Sequence, residues 1–173
     1  MLGSVFSFVS SDVCNKIEIL HEYRQDEETG AHYQSFQSMI KYEQENNLLT
    51  DKKRPSGART ALRLHRALKF FAEFMKELSV LDDDAGSSTV ARECYNRTLA
   101  HYHPWYIKKS ASLAMYALPT RQQLVAKAFC ASDDDAICSK TASDKMAKLG
   151  ETSEIVYQAV EKLYSDHDLH DLP

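Results

Sequence analysis

The most concentrated group of chemically capable side chains is a stripe of arginines, Arg59, Arg63 and Arg66, spaced i, i+4 and i+7. At 3.6 residues per turn, this spacing places them on one side of a helix. Guanidinium groups bind phosphate or carboxylate through paired N–H donors. The stripe therefore predicts an anion site, and Phe70 continues it one turn further with an apolar side chain. A ligand with a phosphate head and an apolar tail would fit this surface.

The helix that carries these arginines has a defined predicted start. Ser56 is a preferred N-cap residue, and it places Arg59 in the first turn. We expect the free N–H groups and the positive dipole end of that first turn to add to the attraction for an anion. A neighbouring apolar stripe predicts the core face of the helix and comprises Leu64, Ala67, Leu68, Phe71, Phe74, Met75 and Leu78.

Residues 1–23 are predicted to form a helix that begins without a cap, which suggests helical sequence upstream. Asp12 and Lys16 are four residues apart on it, in the favourable order for a helical ion pair. They interrupt an apolar face that includes Val9, Val13 and Leu20. We therefore expect a partly buried polar site there, although a simple surface pair is the alternative.

A further candidate surface is the segment HYHPWYIKK at residues 101–109. The helix before it must stop at His103, because a residue that precedes proline disfavours the α region. Pro104 suits the first turn of the next helix. Aromatic residues followed by lysines are typical of a membrane-interface patch, whereas Trp105 alone would suit an ordinary core. The basic run at residues 52–54 leaves two similar interpretations open, a solvated loop or a contact with acidic lipid.

Composition narrows the class of protein. With 5 glycines and 4 prolines among 173 residues, the chain favours an all-α domain. Its net charge of −4 argues against general nucleic-acid binding. The cysteines show no C-x-x-C spacing and indicate free thiols in a reducing compartment. No apolar run approaches membrane-spanning length, and residues 1–9 lack the features of a signal peptide, so we expect a cytosolic protein.

The other helices are predicted at residues 31–47, at residues 89–102, after Pro104, after Thr120, from Ser132, and beyond Gly150 and Thr152. Glu18 and His21 have the spacing of di-iron ligands, but the second motif that such a site requires is missing from the sequence. The phosphate-binding loop, the nucleophile elbow and the dinucleotide fingerprint are missing too. We therefore expect neither a metal nor a cofactor, while a Cys–His pair that meets only in space stays open.

Five segments in order match one known family: VFSFVSSDV at 5–13, RTALRLHRAL at 59–68, YNRTLAHYHPW at 95–105, LPTR at 118–121, and the ending from KLY at 162–164 to DLP at 171–173. On these segments the chain resembles the glycolipid transfer protein superfamily, most closely its ceramide-1-phosphate branch. The resemblance implies one domain over residues 1–173, folded as a two-layer all-α sandwich around an apolar pocket, here lacking the N-terminal helical segment.

The resemblance also implies roles for individual residues. Lys16, Arg59 and Arg63 match the cations that hold the phosphate head. Asp12 matches the aspartate that accepts from the sphingoid amide and hydroxyl, and His103 matches the histidine that donates to the acyl carbonyl. Trp105 matches a position of membrane docking. The sugar-binding branch carries tryptophan at the position of Arg63, and an arginine there points to phosphate.

The function that the resemblance implies is non-enzymatic transfer of ceramide 1-phosphate between membranes by a cytosolic protein that touches them transiently. One alternative is a glycosphingolipid carrier. The other is a sphingolipid sensor or scaffold that binds without transferring, which the short N-terminus would favour.

Overall fold

The computed structural model describes residues 3–128 and 135–172, and within that part of the chain the regular structure is helical, as the composition predicts. The α-helices are α1 (Gly3–Gln25), α2 (Phe36–Glu45), α3 (Gly57–Val80), α4 (Ser87–Thr98), α5 (Trp105–Tyr116), α6 (Arg121–Ala128) and α7 (Asp135–Asp166). Short 3₁₀ turns lie at Gly30–Tyr33 and Ala100–Tyr102. The helix predicted to open at Ser132 begins outside the described residues.

The chain forms two compact units. The first, called the middle unit here, comprises Ala67–Val156. The second, called the terminal unit, comprises Gly3–Arg66 and Tyr157–Pro173. Because α3 and α7 each run through a boundary, both helices contribute residues to both units. The single domain over residues 1–173 stays a prediction.

The core of the terminal unit joins α1, α2, α3 and the end of α7. Its buried side chains are Tyr23, Tyr33, Met39, Ile40, Ala58, Ala61, Leu62, Tyr164 and Leu169. Tyr164 is fully buried, and its hydroxyl donates to the carbonyl oxygen of Ala58 at 2.6 Å. This core therefore fixes the start of α3 and the C-terminal part of α1, the two helices that carry the predicted cations.

The middle unit has two buried clusters. One comprises Leu78, Val125, Ala142 and Met146 from α3, α6 and α7, and the other Ala91, Tyr95 and Met115 from α4 and α5. Arg121 is buried between these elements, where its guanidinium donates to the carbonyl of Leu78 at 2.8 Å and also pairs with Asp83. It is therefore a structural arginine, at the start of α6.

The predicted core stripe of α3 is partly confirmed. Leu78 is buried, and Phe74 and Met75 pack against its cluster, whereas Phe71 is 39% exposed. The other buried side chains of α3 lie outside the predicted stripe and are Ala58, Thr60, Ala61, Leu62, His65 and Ala72. Small side chains explain the difference, because they let neighbouring backbones come close, and apolar periodicity alone undervalues alanine.

Gly150 does not end a helix, although the sequence suggested a break there. Helix α7 continues through it from Asp135 to Asp166. A Cβ atom at Gly150 would lie 2.9 Å from the carbonyl oxygen of Ala72 and 3.1 Å from the backbone nitrogen of Lys76. Glycine is needed here because α7 meets the backbone of α3, so its cost in helix propensity is offset by close packing.

The helix predicted for residues 31–47 is shorter than expected. Ser35 caps α2 instead, since its side chain accepts from the N–H of Ser38 and the Ser38 hydroxyl accepts from the N–H of Ser35. The preceding residues form the 3₁₀ turn Gly30–Tyr33. A local capping box therefore overrides the apolar period that had included Tyr33.

Candidate functional site

The first turn of α3, which carries the predicted anion site, is built around a buried carboxylate. Glu43 of α2 is only 1% exposed. Its Oε1 accepts from the Gly57 N–H at 2.6 Å and the Tyr33 hydroxyl at 3.0 Å. Its Oε2 accepts from the Ser56 hydroxyl at 2.5 Å and the Ala58 N–H at 3.1 Å. A negative charge at the positive end of α3 thus anchors that helix to α2.

Ser56 completes this start of the helix, as predicted. Its hydroxyl oxygen accepts from the N–H of Arg59 at 3.0 Å, and its carbonyl accepts from the N–H of Thr60 at 2.9 Å. The N–H groups of residues 57–60 are therefore all satisfied within the protein. The expectation that free N–H groups of this turn would bind the anion is wrong, because Glu43 and Ser56 already take them.

The arginine stripe divides into two roles. Arg59 is partly buried and Arg63 is exposed, one turn apart on α3. Arg66, two turns from Arg59, donates to the carbonyl of His170 at 2.6 Å and so holds the C-terminal segment. Arg59 and Arg63 remain the candidates for an anionic ligand, while Arg66 supports the fold.

Asp12 and Lys16 form an ion pair on α1, as their spacing predicts. The Asp12 side chain is 55% exposed and that of Lys16 is 16% exposed. The expected partly buried polar site is therefore confirmed for Lys16 and wrong for Asp12. The cause is that Val9 and Ile17 are themselves more than half exposed, at 54% and 53%, so this half of α1 lies outside the core of its unit.

The C-terminal half of α1 is anchored by Tyr23. Tyr23 is buried, and its hydroxyl donates to the carbonyl of Pro55 at 2.5 Å. The guanidinium of Arg54 lies 3.8 Å from the centre of the Tyr23 ring. Tyr23 thus ties α1 to the loop just before α3. Of the basic run, Lys52 and Lys53 are exposed, which leaves both interpretations of those lysines open.

His103 lies where the sequence predicted a helix end. Its backbone is extended, with φ −103° and ψ 138°, between the 3₁₀ turn Ala100–Tyr102 and Pro104. Its Nδ1 is 2.8 Å from the hydroxyl of Tyr95. When that hydroxyl donates to Nδ1, the proton of the neutral imidazole must sit on Nε2. In that arrangement of the hydrogen bond, Nε2 can donate to another group.

Trp105 opens α5 and is 70% exposed, which excludes the interpretation as an ordinary core residue. The same helix exposes further large apolar side chains: Tyr106 at 56%, Leu113 at 72% and Tyr116 at 59%. The ammonium of Lys109 lies 5.2 Å from the centre of the Trp105 ring. Helix α5 therefore presents an aromatic and cationic surface.

The two cysteines whose side chains the structure describes are free thiols, as predicted. Cys14 is exposed and Cys94 is buried, and neither is in a disulfide. Burial raises the pKa of the Cys94 thiol to about 11, which keeps it protonated and unreactive near neutral pH. Cys94 is therefore unsuited to nucleophilic chemistry. The side chains of Cys130 and Cys138 lie outside the described part of the chain.

A protein family model described as "Glycolipid transfer protein (GLTP)" matches residues 1–129. The chain belongs to the glycolipid transfer protein family. This is a family of lipid transfer proteins, and the resemblance drawn from the sequence segments is confirmed.

Curated relatives and solved structures of this family cover almost the whole chain. The ceramide-1-phosphate transfer protein of Danio rerio is 39% identical over 179 residues, covering 99% of this chain and 80% of the relative. The Homo sapiens protein of that name is 35% identical, with 99% and 79% covered. The apo crystal structure of the mouse protein has a TM-score of 0.87 at 38% identity, covering 99% of this chain and 80% of that one.

Some of the solved relatives carry a lipid. The human ceramide-1-phosphate transfer protein in complex with 12:0 ceramide-1-phosphate has a TM-score of 0.82 at 34% identity, covering 99% of this chain and 81% of that one. The all-α glycolipid transfer protein fold expected from the sequence is thus confirmed. Among the described residues of this family member, no helix is both long and apolar enough to cross a membrane.

Sequence reasoning missed two buried ionisable groups of the terminal unit. Glu43 was predicted only to lie in a helix, and His65 was included only in the family segment RTALRLHRAL at 59–68. The His65 side chain is 3% exposed, its Nε2 lies 2.7 Å from Glu161 Oε2, and its ring stacks on Tyr157 with centres 4.2 Å apart. Both residues fall at helical spacing among apolar neighbours, which is the only signal that the sequence offered.

Proposed function

We propose that this protein carries ceramide 1-phosphate between membranes, with the phosphate held by Lys16, Arg59 and Arg63. The observation that carries the proposal is the placement of Arg59 and Arg63 one turn apart on α3. The N-terminus of this helix is anchored by buried Glu43. Rigid guanidinium donors suit the oxygens of a phosphate group. The name and the bound lipid of the relatives above support the same cargo.

Side chains rather than backbone would do the binding. Since Glu43 and Ser56 occupy the N–H groups of the first turn, the anion must be recognised by guanidinium and ammonium groups. Lys16 is paired with Asp12, so its ammonium is already held on α1. A phosphate would therefore share Lys16 with Asp12 and add charge-assisted hydrogen bonds from the arginines.

The amide region of the lipid would use one acceptor and one donor. We assign Asp12 to accept from the sphingoid amide N–H and hydroxyl, which its exposed carboxylate can do. We assign His103 to donate from Nε2 to the acyl carbonyl, with the Tyr95 hydroxyl donating to Nδ1 at 2.8 Å.

Trp105 would dock the protein on the membrane from which cargo is taken. Indole rings favour the membrane interface, and Lys109 beside the ring adds attraction to anionic headgroups. We propose that the protein acts in the cytosol and touches membranes transiently. It would make and break no covalent bond of its cargo.

A vesicle-to-vesicle transfer assay tests the proposal. The cargoes are ceramide 1-phosphate, ceramide and a simple glycosylceramide, each in neutral phosphatidylcholine vesicles. Arg63→Ala should lower the transfer of ceramide 1-phosphate about ten- to a hundredfold, since a hydrogen bond to a charged group is worth about 1.5–3 kcal/mol. Arg24→Ala, which removes an exposed arginine of the same unit, is the matched control and should transfer normally.

Three outcomes would contradict the proposal. Equal binding of ceramide and its 1-phosphate would remove the phosphate site. Preference for the glycosylceramide would make the protein a glycosphingolipid carrier. Tight binding of ceramide 1-phosphate without transfer between vesicles would make it a sensor or scaffold.

A further inference from the structure

The last part of the chain holds the stretch of α3 that carries the proposed phosphate site, residues 58–66, from both ends. The hydroxyl of Tyr164 on α7 donates to the carbonyl oxygen of Ala58 at 2.6 Å. At the other end, the guanidinium of Arg66 donates to the carbonyl oxygen of His170 at 2.6 Å. All of these residues belong to the terminal unit. The position of this stretch therefore depends on how α7 and the C-terminal segment contact it.

Between these two contacts, His65 joins α3 to α7. Its side chain is 3% exposed, and its Nε2 lies 2.7 Å from Oε2 of Glu161. Burial would raise the pKa of Glu161, but hydrogen bonds from His65 and Tyr157 lower it overall, so the carboxylate is ionised at neutral pH. An ionised carboxylate only accepts hydrogen bonds, so Nε2 of His65 must carry a proton. The ring also stacks on Tyr157, with centres 4.2 Å apart.

The other ring nitrogen of His65 makes a second proton costly. Nδ1 is buried and, within the part of the chain that the structure describes, it has no hydrogen-bond partner. Protonation would therefore place a charged N–H group where no oxygen accepts from it, and a buried charged donor without a partner is strongly unfavourable. This geometry favours the neutral ring for as long as α3 stays in contact with α7.

The groups around His65 act in both directions. The titratable and charged groups that face it come from α3, α7 and the C-terminal segment, and they are Arg66, Tyr157, Glu161, Tyr164 and His170. Glu161 favours the protonated ring, whereas Arg66 and His170 oppose it. The tyrosine hydroxyls are uncharged near neutral pH. Burial has the largest effect, and the pKa of His65 is lowered.

We propose that the contact between His65 and Glu161 positions the proposed phosphate site, and that protonation of His65 releases it. Arg63 lies on the exposed side of α3 only two residues before His65, so the contact fixes the turn from which Arg63 extends. Donors that are already held in place bind an anion more tightly than mobile ones. The protein would therefore hold a phosphate headgroup at neutral pH and release it in mild acid. The inference rests on the proposed function for its ligand, and His65 and Glu161 are positioning residues that do not contact the cargo themselves.

Binding of a short-chain ceramide 1-phosphate to the full chain, at about pH 7.5 and about pH 5.5, tests this coupling. His65→Gln keeps a donor near the place of Nε2 and cannot gain a proton. The loss of affinity in acid should be about fivefold larger in the unmodified protein than in His65→Gln, at the low end of typical coupling between two sites. The protonation of the phosphate itself is common to both proteins and cancels. His21→Gln, an exposed histidine of α1 in the same unit, is the matched control and should behave as the unmodified protein does.

Three further variants assign the effect to this pair. Glu161→Gln keeps an acceptor for His65 but removes the charge that favours the protonated ring, so the pH at which affinity falls should move lower. His65→Phe keeps a stacked ring but removes the donor, and at neutral pH it should bind several times more weakly than His65→Gln. His170→Gln should keep the pH dependence, because His170 is 40% exposed and only 3.5 Å from Glu161 at its closest. Loss of the pH dependence in His170→Gln would place the switch at the exposed histidine and overturn the proposal.

The titration of His65 itself gives a test that depends on sign. Nuclear magnetic resonance of the histidine rings, with His65 assigned by its loss in His65→Gln, reports its pKa with and without the short-chain lipid. Coupling between two sites is reciprocal, so a ligand that prefers the neutral ring must lower that pKa. A phosphate that acted on His65 through its charge alone would raise the pKa instead. A raised pKa would overturn the proposal.

Hydrogen exchange of the ligand-free protein separates this inference from the proposed cargo. After correction for the intrinsic exchange rate at each pH, residues 58–66 should lose more protection in acid in the unmodified protein than in His65→Gln. Equal losses would overturn the release of α3. If the difference is present but the unmodified protein does not bind ceramide 1-phosphate at neutral pH, the proposed cargo alone is refuted. If both proteins bind it with the same pH dependence, the proposed cargo stands and this inference is refuted.

Discussion

Exchanging Glu43 for glutamine tests whether one buried carboxylate holds the arginine helix in place. The exchange keeps the shape of the side chain and removes its charge. In the native protein each carboxylate oxygen accepts one backbone N–H, from Gly57 or Ala58, and one hydroxyl, from Tyr33 or Ser56. A glutamine can offer an oxygen to only one of those N–H groups, and its amide nitrogen must face the other.

The size of the effect follows from these contacts. A hydroxyl can rotate to accept from the new amide, but a backbone N–H cannot, so one buried donor loses its partner at a cost of about 1–3 kcal/mol. The remaining hydrogen bonds lose their charge assistance, and the dipole of α3 loses its counter-charge, worth about 0.3–2 kcal/mol. We expect Glu43→Gln to lower the free energy of unfolding by about 3 kcal/mol in total. A typical domain stability of roughly 5–15 kcal/mol would still leave it folded.

Urea unfolding followed by circular dichroism measures this change, and the transfer assay measures its consequence for Arg59 and Arg63. Glu45→Gln is the control, because Glu45 is an exposed residue of the same helix that pairs only loosely with Lys41 at 3.9 Å. It should change stability by less than about 1 kcal/mol. A loss below about 1 kcal/mol for Glu43→Gln would refute the reasoning, since the anchored start of α3 would then contribute little.

Three further predictions concern residues that the structure describes closely. Trp105→Ala should weaken vesicle binding and slow transfer while leaving the melting temperature nearly unchanged, because Trp105 is 70% exposed. Asp12→Asn should cost less than about 1 kcal/mol of stability, as for an exposed ion pair, but lower the affinity for ceramide 1-phosphate about ten- to a hundredfold in a binding titration. His65 makes stability depend on pH. Burial lowers the pKa of His65, although its hydrogen bond to Glu161 acts in the opposite direction. Below about pH 6.5 the unfolded chain then binds more protons than the folded chain. The free energy of unfolding should therefore decrease as the pH is lowered there, by at most about 1.4 kcal/mol per pH unit. His65→Phe, compared by urea unfolding across this range, should flatten that slope.

Each of these has a contrary outcome. A large drop in melting temperature for Trp105→Ala would make it a packing residue. A large stability loss with unchanged affinity for Asp12→Asn would remove its anchoring role. An unchanged pH slope in His65→Phe would assign the pH dependence to other groups.

Local signals in the sequence predicted a substantial part of this protein. Ser56 as the N-cap of α3, the helix end at His103 and the ion pair between Asp12 and Lys16 all follow from interactions within a few residues. The all-α class follows from composition in the same way. Such features are decided by backbone sterics and neighbouring side chains, so one sequence is enough to predict them.

Apolar periodicity was less reliable where packing involved small residues. It placed the core face of α3 on large side chains, whereas Ala58, Ala61 and Ala72 are buried, and it suggested a break at Gly150 where α7 continues. Close approach of two backbones depends on which helix lies opposite, and the sequence does not state that partner.

The sequence by itself determined the helical class, the N-cap of α3, the arginine spacing and, through family segments, the expected cargo. Tertiary structure alone decided how those arginines are used. It placed Glu43 at the first turn of α3, where its carboxylate accepts from the backbone N–H groups. It also placed Arg66 where its guanidinium donates to the carbonyl of His170. It also left Asp12 exposed and buried His65 instead. Burial and pairing across long sequence separations depend on which helices pack together, and that is settled only when the whole core forms.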